Sequence, residues 1–156
     1  MAIKFISVVL SAILMWWGTL TPDERWNVDP HIKAIVCGLE YDEFVLFSAT
    51  VEAESDRGDD IEGRTLIALT ILNRVNSSEF PDTITGVINE PGQFEVVSNG
   101  MVWSVGRTNI SDMAIIEAFE WIQSGDAPNV MYFNATGYVY GTPYGVYGGN
   151  YFVTVP

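Results

Sequence analysis

The segment 51–75, VEAESDRGDDIEGRTLIALTILNRV, constrains the fold more than any other stretch of the 156-residue sequence. It predicts the end of one helix, an acidic loop, and a second helix that runs to about Asn76. Apolar residues of the second helix recur at the spacing of one helical face, namely Ala68, Ile71, Leu72 and Val75. Such a face has to be covered, so we expect this helix to be the most buried one of the domain. Asn73 and Arg74 at its end are expected to cap carbonyl groups or to pair with an acid.

The first helix, over residues 42–54, carries an apolar face that ends in a carboxylate. Three apolar residues follow one another at i, i+3 and i+7, namely Phe44, Phe47 and Val51. Glu54 continues the same face. Partial desolvation at that position raises the pKa of a carboxyl group, which is what a general acid working near neutral pH requires. The alternative is that Glu54 only marks the end of the helix and turns out to solvent.

The other acids of this segment have separate expected roles. Glu52 lies about 200° of helical rotation from Glu54, at roughly 100° per residue, and is therefore expected to face water. Asp59 and Glu62 have the spacing of a capping box, which predicts Asp59 as the N-cap of the second helix. Glu54 is thus the catalytic candidate among these acids.

Composition bounds the class of protein. A chain of this length forms one domain, and 48% hydrophobic residues exclude a disordered chain. The formal net charge of −13 leaves no basic surface to neutralise phosphates, so we expect no nucleic acid partner. A single cysteine, Cys37, and a single histidine, His31, exclude an intrachain disulfide and disfavour a zinc- or cysteine-dependent amidase. We predict no metal, no cofactor and a monomeric protein.

The N-terminal segment 1–20, MAIKFISVVLSAILMWWGTL, has the layout of an export signal. Lys4 precedes an uncharged apolar run over residues 5–17. That run is shorter than the roughly 18 residues of a membrane span, and no small-residue cleavage site follows it. A cleaved signal peptide, an uncleaved signal anchor that contacts the membrane, and a buried N-terminal helix stay open as alternatives. The first two place the domain in the cell envelope or outside the cell.

A linker is predicted over residues 21–41, and the globular domain over residues 42–156. Two prolines bracket the charged segment 21–30, and proline disfavours helix in the residue before it. We therefore expect the segment 21–30 to be extended.

Downstream of the second helix, the sequence predicts short helical elements. Residues 80–88 indicate a tight turn followed by a short helix, and residues 91–94 indicate a turn. Residues 111–124 indicate a helix with Ser111 as its N-cap and Gly125 at its end.

The C-terminal part indicates strands. The segments VMYFNA and NYFVTV, at 130–135 and 150–155, predict two short strands joined by a glycine-rich loop. Six tyrosines lie between residues 130 and 152, and their rings suit either stacking on sugar faces or packing in the core. The predicted class is α+β, with helices packed against a small β-sheet.

Several short motifs occur in an order that identifies a family. They are AES at 53–55, EG at 62–63, LNRV at 72–75, FPDTITGVI at 80–88, PGQF at 91–94 and YFN at 132–134. In this order and at near-family spacing they resemble the cell wall hydrolase family typified by the spore cortex-lytic enzyme SleB, which occurs in bacterial and phage proteins. The likeness covers about residues 44–152.

The resemblance implies a lysozyme-like α+β catalytic domain that cleaves the glycan strands of peptidoglycan. In the family, the glutamate that closes the first helix is the general acid, and Glu54 matches it. Members are described as lytic transglycosylases, in which the 6-hydroxyl of N-acetylmuramic acid attacks C1 and leaves a 1,6-anhydro end. One acid that returns as base suffices for this chemistry. The strongest rival is a non-catalytic peptidoglycan-binding module on the same fold.

The resemblance also suggests a set of substrate-binding residues, which are Gln93, Phe94, Tyr132, Asn134 and Asn150. The amide of Gln93 suits an N-acetyl group, or it holds its loop to the core. Asn150 stands where many relatives have histidine, and the loop between Glu54 and Glu62 is longer than in the family. Glu95 is the other acid that can join Glu54 across a cleft, but the resemblance gives it no role.

Overall fold

The computed structural model describes residues 2–55 and 58–156, with the backbone alone for residues 2–7. Most of the described chain is helical, and its strands form one small antiparallel sheet. The helices are α1 Ala2–Thr19, α2 Pro22–Trp26, α3 Pro30–Val36, α4 Tyr41–Glu54, α5 Ile61–Val75, α6 Ile84–Ile88, α7 Glu95–Ser98, α8 Met101–Val105 and α9 Asn109–Ser124. The strands are β1 Val130–Asn134, β2 Thr142–Tyr147 and β3 Asn150–Thr154. The predicted α+β class is confirmed.

Helix α5 lies at the centre of the domain, as its sequence predicts. Every residue from 63 to 72 is buried, and the helix packs against α4, α6, α9 and β1. Its apolar side chains share one core with those of α4 and with Phe152 of β3. The side-chain amide of Asn73 donates to the carbonyls of Pro128 and Val130, which fixes the end of α5 to the start of the sheet. Helix α5 therefore joins α4 to the β-sheet. Together α4 and the sheet carry four of the six predicted site residues, which are Glu54, Tyr132, Asn134 and Asn150.

The sheet has the strand order β1-β3-β2, so β3 is its central strand. The predicted strands correspond to β1 and β3, but the prediction of a plain loop between them is wrong, because that loop contains β2. Strand β2 is an edge strand, where a proline such as Pro143 is tolerated. Its register against β3 shifts between Pro143 and Gly145. The proline and glycine that suggested a loop are thus compatible with an irregular edge strand.

The segment 21–30 is largely helical, and the prediction that it is extended is wrong. Thr21 is the N-cap of α2 and Asp29 is the N-cap of α3, so each proline falls in the first turn of a helix. Proline is favoured there because its missing N–H has no partner within the helix. Helix α3 packs against α4 and α9. The division of the chain into segments 1–20, 21–41 and 42–156 stays a prediction.

Helix α1 contacts the domain near its C-terminal end. Trp17 is buried against Met113 and Ile116 of α9, and its indole N–H donates to Glu120 at 3.4 Å. Towards the N-terminus, apolar side chains of α1 such as Met15 are exposed. Among the residues that the structure describes, no helix combines the length and the apolarity needed to cross a membrane. The assignment of residues 1–20 to a signal peptide or anchor stays a prediction.

The N-cap of α5 is Asp60, and the prediction of Asp59 is wrong. The Asp60 carboxylate accepts a hydrogen bond from the Gly63 N–H at 3.0 Å, whereas Asp59 is exposed. The turn between β2 and β3 packs closely here, because a Cβ added to Gly63 would lie 3.2 Å from the Cα of Gly148. This tertiary contact selects one of two adjacent aspartates that have equal capping propensity.

The N-cap of α9 is Thr108, whose hydroxyl accepts from the Ser111 N–H, so the prediction of Ser111 as N-cap is wrong. Ser111 is buried, and its own hydroxyl donates to Glu52 at 2.6 Å. A serine close to a helix start is therefore used here to satisfy a buried carboxylate.

Glu52 is only 7% exposed, so the prediction that it faces water is wrong. Its two carboxylate oxygens accept from Nε and Nη2 of Arg64 at 2.9 and 3.0 Å. The hydroxyls of Thr108 and Ser111 donate to the same carboxylate at 2.8 and 2.6 Å. Helix α4 is enclosed by α5, α6, α8 and α9, so a side chain that turns away from Glu54 still meets protein.

The carboxylate of Glu52 stays ionised inside the protein. Burial alone would raise its pKa, but hydrogen bonds from Arg64, Ser111 and Thr108 and the charge of Arg64 outweigh burial and lower the pKa to about 2. Its contribution to stability is therefore present above about pH 4.5 and is lost as the pH falls towards 2. A role for Glu52 as proton donor near neutral pH is excluded.

A second buried carboxylate, Asp112, ties α3 and α4 to α9. It accepts from Ser48 Oγ at 2.7 Å and from Arg107 Nε and Nη2 at 3.2 and 2.5 Å, and Lys33 Nζ lies 3.8 Å away. Burial lowers the pKa of Lys33, and the charge of Asp112 opposes that change. Helix α9 thus serves the framework, as its sequence suggests.

We expect Glu52→Gln to lower the free energy of unfolding by about 3 kcal/mol at neutral pH, because it leaves the buried guanidinium of Arg64 without a counter-charge. Urea denaturation monitored by circular dichroism measures this difference. Glu62→Gln is the matched control, since Glu62 is an exposed acid on the adjoining helix. A loss for Glu52→Gln no larger than that for Glu62→Gln would contradict the assigned role of the pair.

Candidate active site

A cleft of about 400 Å³ opens where α4 ends, beside α5, the 91–96 segment and β1. Its lining includes five of the six predicted site residues, which are Glu54, Gln93, Phe94, Asn134 and Asn150. Tyr132 is not in the lining. Arg74 and Glu95 are its charged members besides Glu54 among the described residues. Segments that are distant in sequence thus bring two carboxyl groups, one guanidinium and several amides to one place.

Glu54 closes α4 and presents a half-buried carboxyl group to this cleft. Burial, with a contribution from the charge of Glu95, raises its pKa to about 7 against the opposing charge of Arg74. Among the described residues, no side chain donates a hydrogen bond to this carboxyl group. A group with this pKa is protonated in a large share of molecules at neutral pH, so it can give a proton to a bound molecule and take one back.

Arg74 lies at the inner wall of the cleft and is 5% exposed. Its Nε donates to the carbonyl of Met131 at 2.9 Å and its Nη1 donates to Gln93 Oε1 at 3.1 Å. The prediction that Arg74 caps a carbonyl is confirmed. Three aromatic rings surround the guanidinium with centroids 5.1–5.5 Å from Cζ, and they belong to Phe80, Phe94 and Tyr132.

The sequence does not indicate that Arg74 lines the cleft. The only signal is an arginine at the end of a helix that is otherwise apolar, which is equally compatible with a surface ion pair. Within the described residues Arg74 forms no such ion pair. Burial lowers its pKa, and the charges of Glu90 and Glu54 oppose that change.

The turn predicted at residues 91–94 is confirmed, with Gly92 at a φ of +79°. Gln93 lines the cleft and is also held by Arg74, so the two alternatives for this residue are compatible. Phe94 is buried, and its ring lies 6.4 Å from that of Phe133. Phe94 therefore forms the wall of the cleft and offers little free ring surface.

Asn134 and Asn150 meet the cleft from β1 and β3. The side-chain oxygen of Asn134 accepts from the N–H and the hydroxyl of Thr136 at 2.8 and 2.6 Å, which leaves its amide N–H groups for another acceptor. Asn150 is buried, and its Nδ2 donates to the backbone carbonyl of Glu54 at 3.4 Å. Asn150 thus ties the sheet to the end of α4.

Tyr132 is placed behind the cleft wall. Its ring faces the guanidinium of Arg74 at 5.4 Å and contacts the rings of Phe80 and Tyr140. Any effect of Tyr132 on a molecule in the cleft passes through Arg74.

The remaining candidates for chemistry lie elsewhere. Cys37 belongs to a cluster with Trp17 and Ile116, and burial raises the pKa of its thiol, which therefore stays protonated. The ring of His31 stacks on Tyr41 at 3.7 Å. In the part of the chain that the structure describes, no group of three or more His, Cys, Asp or Glu residues could hold a metal ion.

Comparison with known proteins identifies the family. The sequence profile of the Cell Wall Hydrolase family matches residues 58–147, and that match begins after Glu54 and ends before Asn150. A spore cortex-lytic enzyme of Oceanobacillus iheyensis is 38% identical over 98 residues, which are 62% of this chain and 34% of that protein. A spore cortex-lytic enzyme of Bacillus subtilis is 32% identical over 115 residues, 73% of this chain and 36% of that protein. The chain therefore spans about a third of the length of these relatives.

Solved structures agree with this match. The catalytic domain of the Bacillus cereus SleB protein superimposes with a TM-score of 0.61 and 27% identity, over 74% of this chain and 91% of that domain. The catalytic domain of the germination-specific lytic transglycosylase SleB from Bacillus anthracis gives 0.61 and 26%, over 75% and 98%. The lysozyme-like α+β fold expected from the sequence is confirmed.

We expect Glu54→Gln to make the protein more stable than the native chain at about pH 8, by on the order of 2 kcal/mol, and equally stable at about pH 4. The folded-state pKa of Glu54 is raised from 4.5 to about 7, so the stability that its proton contributes is complete below 4.5 and is lost as the pH rises through 7. Glutamine carries no charge and escapes this loss. Urea denaturation at both pH values measures the difference from the native chain.

Glu79→Gln is the control, because Glu79 is an exposed acid outside the cleft. An advantage of Glu54→Gln that is the same at both pH values would mean that Glu54 ionises as an ordinary surface acid.

We expect Glu95→Gln to lower the pKa of Glu54 by roughly half a unit, because it removes the negative charge that opposes ionisation. Carbon-13 NMR titration of the glutamate carboxyl groups measures this pKa directly, and Glu79→Gln again is the control. An unchanged pKa for Glu54 would show that the charge of Glu95 does not contribute to it.

Proposed function

The chain belongs to the Cell Wall Hydrolase family, and on that premise we propose that it is an enzyme that cleaves the glycan strands of peptidoglycan. The observation that carries this proposal is the carboxyl group of Glu54, which opens into a cleft and has a pKa of about 7. The similarity to spore cortex-lytic enzymes and to a lytic transglycosylase domain supports the reaction class.

The proposed reaction is that of a lytic transglycosylase. Glu54 gives its proton to O4 of N-acetylglucosamine as the bond from C1 of N-acetylmuramic acid to that oxygen breaks. The 6-hydroxyl of the muramic acid residue forms a new bond to C1, and the Glu54 carboxylate takes the hydroxyl proton. The product carries a 1,6-anhydro end, and Glu54 returns to its protonated state.

The two charged neighbours of Glu54 suit the two halves of this reaction. Glu95 favours the protonated carboxyl group before transfer, and its charge also favours the positive charge that develops on the sugar. Arg74 favours the carboxylate that remains once the proton has left. The opposing effects of Glu95 and Arg74 keep the pKa of Glu54 close to neutral pH. At that pH Glu54 can both donate a proton and accept one.

The amides of the cleft are the proposed contacts to the sugar. Asn134 offers free amide N–H groups, and Gln93 is oriented by Arg74 towards the same space. Phe94 forms part of the cleft wall, and both Phe94 and Tyr132 lie against the guanidinium of Arg74 and hold it in place. Asn150 acts through the backbone of Glu54.

A peptidoglycan substrate also indicates where in the cell the protein acts. We propose that residues 1–20 direct the chain across the cytoplasmic membrane, as a signal peptide or as an anchor that contacts the membrane, and that a monomeric domain acts in the cell envelope or outside the cell. An apolar run preceded by Lys4 supports export.

We expect purified peptidoglycan to release soluble fragments with 1,6-anhydro ends, and Glu54→Gln to reduce their release by at least about a hundredfold. Mass spectrometry identifies these ends by their mass, and the rate should fall as the pH rises above about 7 because the acid loses its proton. Glu79→Gln should release fragments at the native rate.

Other products would decide against the proposal. Fragments with reducing ends would indicate hydrolysis by water, and free stem peptides would indicate an amidase. Retention on peptidoglycan without any release would favour the non-catalytic binding module.

A further inference from the structure

Four tyrosine rings lie together on the outer face of the sheet, and we call them the tyrosine face: Tyr132, Tyr138, Tyr140 and Tyr151. Residues that pair across antiparallel strands point to the same side of a sheet. Asn134 pairs with Tyr151, and Tyr132 pairs with Val153, so these side chains share one side. The core-facing pair Phe133 and Phe152 is on the other side, with ring centroids 5.6 Å apart.

The loop after β1 adds the two most exposed rings of this face. Tyr140 is 78% exposed and meets the ring of Tyr132 edge-on at 6.3 Å, and Tyr138 is 44% exposed and meets Tyr151 edge-on at 5.2 Å. Rings that are exposed to this extent contribute little to the core. The amphipathic ring surfaces of Tyr140 and Tyr138 therefore face solvent.

The loop that carries these two rings is held at both ends. At its start, the Asn134 side chain accepts two hydrogen bonds from Thr136. At its end, Gly141 has a φ of +119°, and a Cβ added there would lie 2.5 Å from the carbonyl oxygen of Thr154 and from a methyl group of Val153. The ends of the loop are therefore fixed, and its two exposed rings rest against Tyr132 and Tyr151, which reduces the entropy lost on binding.

The tyrosine face is continuous with the cleft. Asn134 lines the cleft and also begins the loop that bears Tyr138 and Tyr140. On the same side of the sheet, Tyr132 contacts both Tyr140 and the guanidinium of Arg74, which lines the cleft. A chain-like ligand that leaves the cleft past Asn134 therefore meets exposed rings.

We propose that the tyrosine face binds further sugar residues of a glycan strand beyond those held in the cleft, with Tyr140 and Tyr138 as stacking surfaces. Sugar rings present apolar C–H faces and polar edges, which match a phenol ring and its hydroxyl. No lysine or arginine side chain is among the rings of the face, so its contacts to a strand would be stacking and hydrogen bonding, with no ion pair to the lactyl carboxylates. This inference rests on the proposed function and adds that long strands are preferred over short fragments.

The test compares long peptide-free glycan strands with a tetrasaccharide of the same repeat. Tyr140→Ala should raise KM for long strands about tenfold at an unchanged kcat, and it should leave KM for the tetrasaccharide unchanged. Tyr140→Phe, which keeps the ring, should retain the native KM. Tyr144→Ala is the matched control, because Tyr144 is an exposed tyrosine of β2 whose ring packs on Tyr147 outside the face.

Direct binding of long strands, measured by sedimentation with Glu54→Gln to prevent cleavage, separates this inference from the proposed function. Weaker binding on adding Tyr140→Ala supports the face even if the native chain cleaves nothing. Native binding by that double variant, or equal losses from Tyr140→Ala and Tyr144→Ala, overturns the inference while leaving the proposed reaction intact. A native chain that neither binds nor cleaves glycan strands overturns both.

Discussion

The ion pair between Glu52 and Arg64 is the interaction on which the rest of the structure depends. It joins α4 to α5, and the hydroxyls of Thr108 and Ser111 extend it to α9. Arg64 Nη1 also donates to the carbonyls of Gly58 and Asp60 at 2.6 and 2.9 Å, so one guanidinium fixes part of the backbone that leads from Glu54 to α5. Because Glu54 follows Glu52 by two residues on one helix, a buried pair outside the cleft sets the position of the acid inside it.

Environment gives these two glutamates opposite properties. Glu52 is surrounded by donors and a cation, and its pKa is about 2. No described side chain donates a hydrogen bond to the carboxyl group of Glu54, and its pKa is about 7. Burial raises the pKa of both carboxyl groups, so the difference in pKa comes from the hydrogen-bond donors and charges around each of them. The α4 helix thus separates the task of holding the framework from the task of exchanging a proton.

The sequence predicted those features that depend on local periodicity. The face of Phe44, Phe47 and Val51 gave the correct direction for Glu54, and the buried face of α5 was correct for the same reason. The prediction for Glu52 failed because periodicity gives only the angle between two side chains, and says nothing of a second layer of protein on the far side. The N-cap at Asp60, strand β2 and the place of Arg74 all depend on tertiary contacts, which one sequence without the fold does not contain.

The resemblance of the sequence to its family implies two departures from the family pattern, and both lie at the C-terminal end of α4. It implies a longer loop between Glu54 and Glu62, and it places Asn150, which donates to the Glu54 carbonyl, where many relatives have histidine. Asparagine keeps a hydrogen bond to the backbone but cannot titrate, whereas a histidine there would place a second ionisable group beside the acid. In this chain the pKa of Glu54 is therefore governed by burial, Glu95 and Arg74. The pH dependence of cleavage near neutrality should consequently follow the carboxyl group of Glu54.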